Sequence, residues 1–140
     1  MDTIICYTKG ASQGNPGPST IRVSIMDTNG DLIKELEQSV GNAKQDFAEY
    51  NAVMVGLQTL QALYGDSTKT LKFELRLDSE LVAKQLKAES QINDPGLVPM
   101  FIEIHNMQIE SFPYFSVSHI PRQENIAGNT LLKENLDGKQ

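Results

Sequence analysis

The sequence predicts an α/β fold: a mixed five-stranded sheet, its first three strands antiparallel, with helices on both faces in the order βββ-α-β-α-α-β-α. Three observations carry this. Alternating apolar runs broken by turn-forming clusters fill the first third of the chain. Beyond them, apolar residues at helical spacing alternate with two further short strands. Strands joined by tight turns run antiparallel and strands joined through helices need parallel neighbours, so the sheet has to be mixed. With 140 residues and 39% hydrophobic content, the chain is expected to form one domain over residues 1–136 and a tail over 137–140.

Taken in order, Ile4-Ile5-Cys6-Tyr7-Thr8 is the first strand and meets a loop at Lys9. Alternation puts Ile5, Tyr7 and Lys9 on one face and Ile4, Cys6 and Thr8 on the other, so a charge stands where the strand ends. Ile21 to Ile25 alternates again, and the turn chemistry of Asp27-Thr28-Asn29-Gly30-Asp31 leads into Leu32 to Leu36. Thr20, Arg22 and Ser24 share a face expected to be solvated or covered by polar contacts. Phe47, Tyr50, Val53, Met54, Leu57 and Leu60 predict a helix over 45–63, closed by Gly65. Glu49 lies in its first turns, where a carboxylate also complements the helix dipole.

Leu71, Phe73, Leu75 and Leu77 are the apolar side of a fourth strand, which ends at Asp78-Ser79-Glu80 before a helix over about 81–88. Asp78 has two readings. It is a site residue at the carboxyl end of a parallel strand, where sites gather, or it caps the following helix. After Asp94-Pro95-Gly96, Leu97, Met100, Phe101, Ile104 and Met107 predict a helix to about Glu110. Residues 114–119 are the last strand, and a final helix is expected over about 124–136.

A net charge of −6 and a pI near 4.8 argue against binding nucleic acid through a broad basic surface. Cys6 is the only cysteine, so it reads as a buried core thiol, with a reducing cytoplasm as the simplest compartment. No apolar run approaches the roughly 20 residues of a membrane span, and the expected protein is soluble, without a membrane partner and not exported.

The opening Tyr7-Thr8-x-Gly10-Ala11-Ser12-x-Gly14-Asn15-Pro16-Gly17-Pro18 resembles the start of a type 1 ribonuclease H domain. Four further stretches match that family in register: Ala48-Glu49-Tyr50-x-Ala52 with Gly56-Leu57; Leu77 to Val82 with Gln85-Leu86; Asp94-Pro95 leading to Leu97; and His119-Ile120-Pro121-Arg122-x-Glu124-Asn125-x-Ala127. The resemblance implies the ribonuclease H fold and, in family enzymes, cleavage of RNA/DNA hybrids by two divalent ions held roughly 4 Å apart by carboxylates.

Of the family's four acidic positions, the first falls here on Lys9, the second on Glu49, the third on Asp78 and the fourth on Gly128. An ammonium cannot ligate a cation. At about 4 Å and an effective dielectric of about 20 it repels each unit of like charge by on the order of 4 kcal/mol, and a divalent ion doubles that. Gly128 offers no ligand. The remnants Glu49 and Asp78 are therefore expected to bind metal weakly or not at all, with Lys9 between them as a substitute cation. Asn15, Gln45 and Glu80 fall where family members touch the hybrid's minor groove. Lys44-Gln45-Asp46 replaces the Thr-Asn-Asn that many members carry, and Asp46 adds negative charge toward a phosphate backbone.

Three functional readings follow. The first is a disabled ribonuclease H-type domain retained as a nucleic-acid-binding or interaction scaffold, with no tightly bound cofactor and with weak, salt-sensitive binding of RNA/DNA hybrid. The second is an active hybrid ribonuclease using Mg²⁺ or Mn²⁺ through Glu49, Asp78 and a third ligand such as Asp46 or Glu124. The third, favoured by the acidic charge, is a protein-interaction module with no nucleic-acid role.

Overall fold

The computed structural model describes residues 2–128. Its strands are β1 (Thr3–Ser12), β2 (Gly17–Asp27), β3 (Leu32–Ala43), β4 (Lys72–Leu77) and β5 (Phe115–His119), and its helices are α1 (Gln45–Tyr64), α2 (Glu80–Leu86) and α3 (Val98–Ser111). The sheet order is β3-β2-β1-β4-β5. β1, β2 and β3 form an antiparallel meander, while β4 pairs parallel to both β1 and β5. The expected mixed sheet is therefore observed.

One face of this sheet makes the core. Cys6 faces Ile25 across β1 and β2 and Leu75 across β1 and β4, so the apolar residues of three strands fall in one row. Tyr50, Val53, Leu57 and Leu60 of α1 pack on them with Val82 and Ala83 of α2 and Ile104 of α3. Each fully buried side chain of this size contributes roughly 1.5–3 kcal/mol, which is why the helical stripe of α1 settles on this face. The helical turn at 126–128 lies on the opposite face, where position 128 abuts the Lys9 side chain.

Several boundaries move. β1 does not end at Lys9 but runs to Ser12, because β2 pairs with it through Ser12↔Ser19, while the pairs with β4 run only from Thr3↔Lys72 to Tyr7↔Arg76. Lys9 thus lies inside a strand yet just past the end of its parallel pairing. β3 extends to Ala43 for the same reason, being held by β2 through a run in which alternation is lost. α2 stops at Leu86, and Ala88 takes a positive φ of 59°. The face of Thr20, Arg22 and Ser24 is covered by a polar contact at Arg22, as expected, where the guanidinium meets Glu37 of β3 at 2.9 Å, whereas Ser24 departs from the expectation in being fully buried. The last helix begins later than expected, since Arg122–Glu124 is a 3-10 turn. Most of that helix and the tail over 137–140 lie outside the described residues.

Candidate functional site

Strand β4 ends at Leu77 while β1 continues, and the step between them opens a groove of about 750 Å³ against the N-terminal end of α1. Lys9, Glu49 and Asp78, distant in sequence, all line it, as do Asn15, Gln45 and Asp46. An adjoining hollow of about 440 Å³ continues past Lys9 to Arg122.

Alternation points Lys9 and Asp78 to the same side of neighbouring strands, and Lys9 Nζ donates to Asp78 Oδ1 at 2.9 Å. The pair is nearly buried, with side-chain exposures of 13% and 7%. Asp78 Oδ2 accepts from Asn125 Nδ2 at 3.1 Å, and the same amide group donates to the Thr8 carbonyl at 2.9 Å. Both oxygens of Asp78 are thereby engaged. The helix after it is capped by Ser79, whose Oγ accepts from the Val82 N–H, so the capping reading falls to Ser79 and Asp78 is left to the groove.

Glu49 enters from α1 through an unusually close approach. A Cβ on Gly10 would stand 2.3 Å from the Ala48 carbonyl carbon, so only glycine lets this turn of α1 lie against β1. That contact places the Gly10 N–H on Glu49 Oε1 at 3.0 Å, and Gln45 Nε2 donates to the same oxygen at 3.2 Å. Among the described residues, Glu49 Oε2 is buried and has no hydrogen-bond partner. Burial pushes the Glu49 carboxyl up to about 7. The Lys9 ammonium and the Gly10 and Gln45 bonds pull it down, while the Asp78 charge adds to the rise.

Lys9 does not bridge the two carboxylates evenly as expected. Its direct ion pair is with Asp78, and it reaches Glu49 through its field. Asn15 caps α1, its Oδ1 accepting the Gln45 N–H at 3.0 Å. The Gln45 side chain ties α1 to β1, with Nε2 donating to the Gly10 carbonyl and Oε1 accepting from the Ser12 N–H. Glu80 is exposed and its carboxylate meets Lys84 at 3.3 Å, one helical turn on. Glu124 is exposed in the 3-10 turn, and Gly128 has room for a side chain, a Cβ there meeting Lys9 Cγ at an ordinary 3.6 Å. Gly10, Ser12 and Asn125 were not singled out by sequence reasoning. Asn125 stands in the last matched motif, but nothing in its spacing announces that its amide reaches residues 47 and 117 positions away.

These residues do not fit a pair of divalent ions. Three of the four carboxylate oxygens on Glu49 and Asp78 already accept from the protein, and an ammonium stands on one of them. Among the described residues, no group of three or more His, Cys, Asp or Glu side chains is arranged to hold a metal ion.

A family model described as reverse transcriptase-like matches residues 7–134. Ribonuclease HI of Halobacterium salinarum (strain ATCC 700922 / JCM 11081 / NRC-1) is 33% identical over 94% of this chain, which spans 63% of that protein's length. The structure of LC11-RNase H1, isolated from compost by a metagenomic approach, superposes with a TM-score of 0.89 at 34% identity, covering 99% of both chains. The same enzyme in complex with RNA/DNA hybrid superposes at 0.83, with 35% identity over 87% of this chain and 88% of that one.

Proposed function

We propose, from the premise that the chain belongs to the type 1 ribonuclease H family, that it is a hydrolytically silent member that keeps the substrate groove as a binding surface for RNA/DNA hybrid. The domain is related to hybrid nucleases, one of which has been captured with its hybrid bound. The observation that carries the silent reading is the Lys9 ammonium, 2.9 Å from Asp78 in the position where the family places its first acid. Metal-assisted hydrolysis needs cations to generate the attacking hydroxide and to stabilise the leaving oxygen, and an ammonium bound to the carboxylate does neither. The groove remains open, with Asn15 and Gln45 on its wall and Lys44 at its rim. With a net charge of −6 on the chain the binding is weak and falls with salt. The lone buried Cys6, its thiol pushed up to about 12 by burial, suits a reducing cytoplasm.

The deciding experiment is cleavage of an end-labelled RNA/DNA hybrid in Mg²⁺ and in Mn²⁺. The expected rate is that of the uncatalysed control. Cleavage that disappears in Glu49→Gln would overturn the reading and favour the active alternative, for which Asp46 lines the same groove as a further carboxylate. The complementary gain-of-function variant pairs Lys9→Asp with an acid at Gly128, or at its neighbour Asn129, which already carries the amide of an aspartate.

A further inference from the structure

The floor of the groove carries its own cation. Lys9 and Asp78 cancel, so with Glu49 ionised the three side chains sum to −1. Three carboxylates in the same space would sum to −3, and a phosphodiester would then approach only behind a bound cation. The Lys9 ammonium has three N–H donors, of which the Asp78 bond takes one. Its side chain keeps some exposure and lines both stretches of the groove, between Lys44 in one and Arg122 in the other. Asn125 holds the far oxygen of Asp78, which fixes the carboxylate and with it the ammonium.

We propose that Lys9 makes occupation of this groove by a phosphodiester independent of divalent ions, its ammonium being the cation that the phosphate meets. The inference rests on the reading that a hybrid enters the groove. It adds that the residue which removes hydrolysis is also the residue that lets the ligand in, so affinity and catalysis are separated at one position.

The test is fluorescence anisotropy of a labelled RNA/DNA hybrid with the intact chain, in EDTA and in MgCl₂ at matched ionic strength, with each variant's folding checked by thermal melting. Wild type is expected to bind equally, within about twofold, in the two buffers. Lys9→Asp is expected to bind about tenfold more weakly in EDTA and to recover in magnesium. Lys9→Gln, which keeps a donor toward Asp78 without charge, is expected to lose about tenfold in EDTA and decides the matter if the aspartate variant does not fold. A wild-type affinity that rises about tenfold with magnesium overturns the inference alone, as does Lys9→Gln binding like wild type in EDTA. Absence of wild-type binding in both buffers overturns the functional reading, and this inference with it.

Discussion

At neutral pH the Glu49 carboxyl stands near its midpoint, because burial opposes its charge more strongly than Lys9, Gly10 and Gln45 favour it. Its pKa rises from 4.5 in the unfolded chain to about 7 in the fold. Below the lower value both states hold the proton and the group has no effect on stability. Between the two values the unfolded chain releases the proton and the folded chain keeps it, so stability falls as pH climbs and levels off once Glu49 ionises in the fold. A shift of this size corresponds to about 3 kcal/mol. Glu49→Gln retains an acceptor for the Gly10 N–H and has no proton to lose. Urea unfolding near pH 5 and near pH 8 should show wild type losing about 2–3 kcal/mol more than the variant across that interval. Parallel pH profiles for the two proteins would refute the buried, raised carboxyl.

At the scale of elements, the site exists because α1 lies against β1 at Gly10. A methyl there collides with the Ala48 backbone, whereas the nearest atoms to a methyl at Gly56 belong to side chains, Cys6 Sγ and Thr8 Cγ2 at 3.1 Å and Val23 Cγ1 at 3.9 Å. Gly10→Ala should therefore cost about 3 kcal/mol, the upper end of what overpacking costs. Gly56→Ala should cost less than about 1 kcal/mol, since helix propensity gains about as much as the tight contact loses. Chemical denaturation of the two variants checks the order, and equal costs would mean that the α1–β1 approach is softer than the structure has it. The same contact explains what the sequence made legible. Periodicity placed Glu49 near the start of a helix and Asp78 at the end of a strand, because both lie in runs where one apolar face repeats. It ended β1 early, because residues 9–12 are polar or small and are held as strand by pairing to β2, which no local pattern encodes. Asn125 and Ser12 stayed hidden because their roles are made by hydrogen bonds between remote segments.

For the molecule as a whole, the Lys9–Asp78 pair ties β1 to the residue that follows β4, on the floor of the groove, in a chain of net charge −6. Removing one partner of so buried a pair leaves the other charge uncompensated, and Lys9→Met should lower stability by about 3–5 kcal/mol without any response to Mn²⁺. Lys9→Asp moves the net charge by two units, to −8, and sets a third carboxylate beside Glu49 and Asp78. Without metal it should be less stable than wild type, by repulsion as well as by loss of the pair. With metal it should recover, because an ion that binds only the folded state stabilises it by about 2.7 kcal/mol at a hundredfold excess over its dissociation constant. Adding Gly128→Asp extends the ligand set from the opposite face, where a side chain has ordinary room above Lys9 Cγ and Cδ. Stability in the series should thus be indifferent to Mn²⁺ for wild type and Lys9→Met, responsive for Lys9→Asp and most responsive for the double variant. Thermal melts with and without Mn²⁺, paired with calorimetric titration, read this directly. If wild type binds the ion as tightly as the double variant, Lys9 is not a stand-in for metal and the site is not silent.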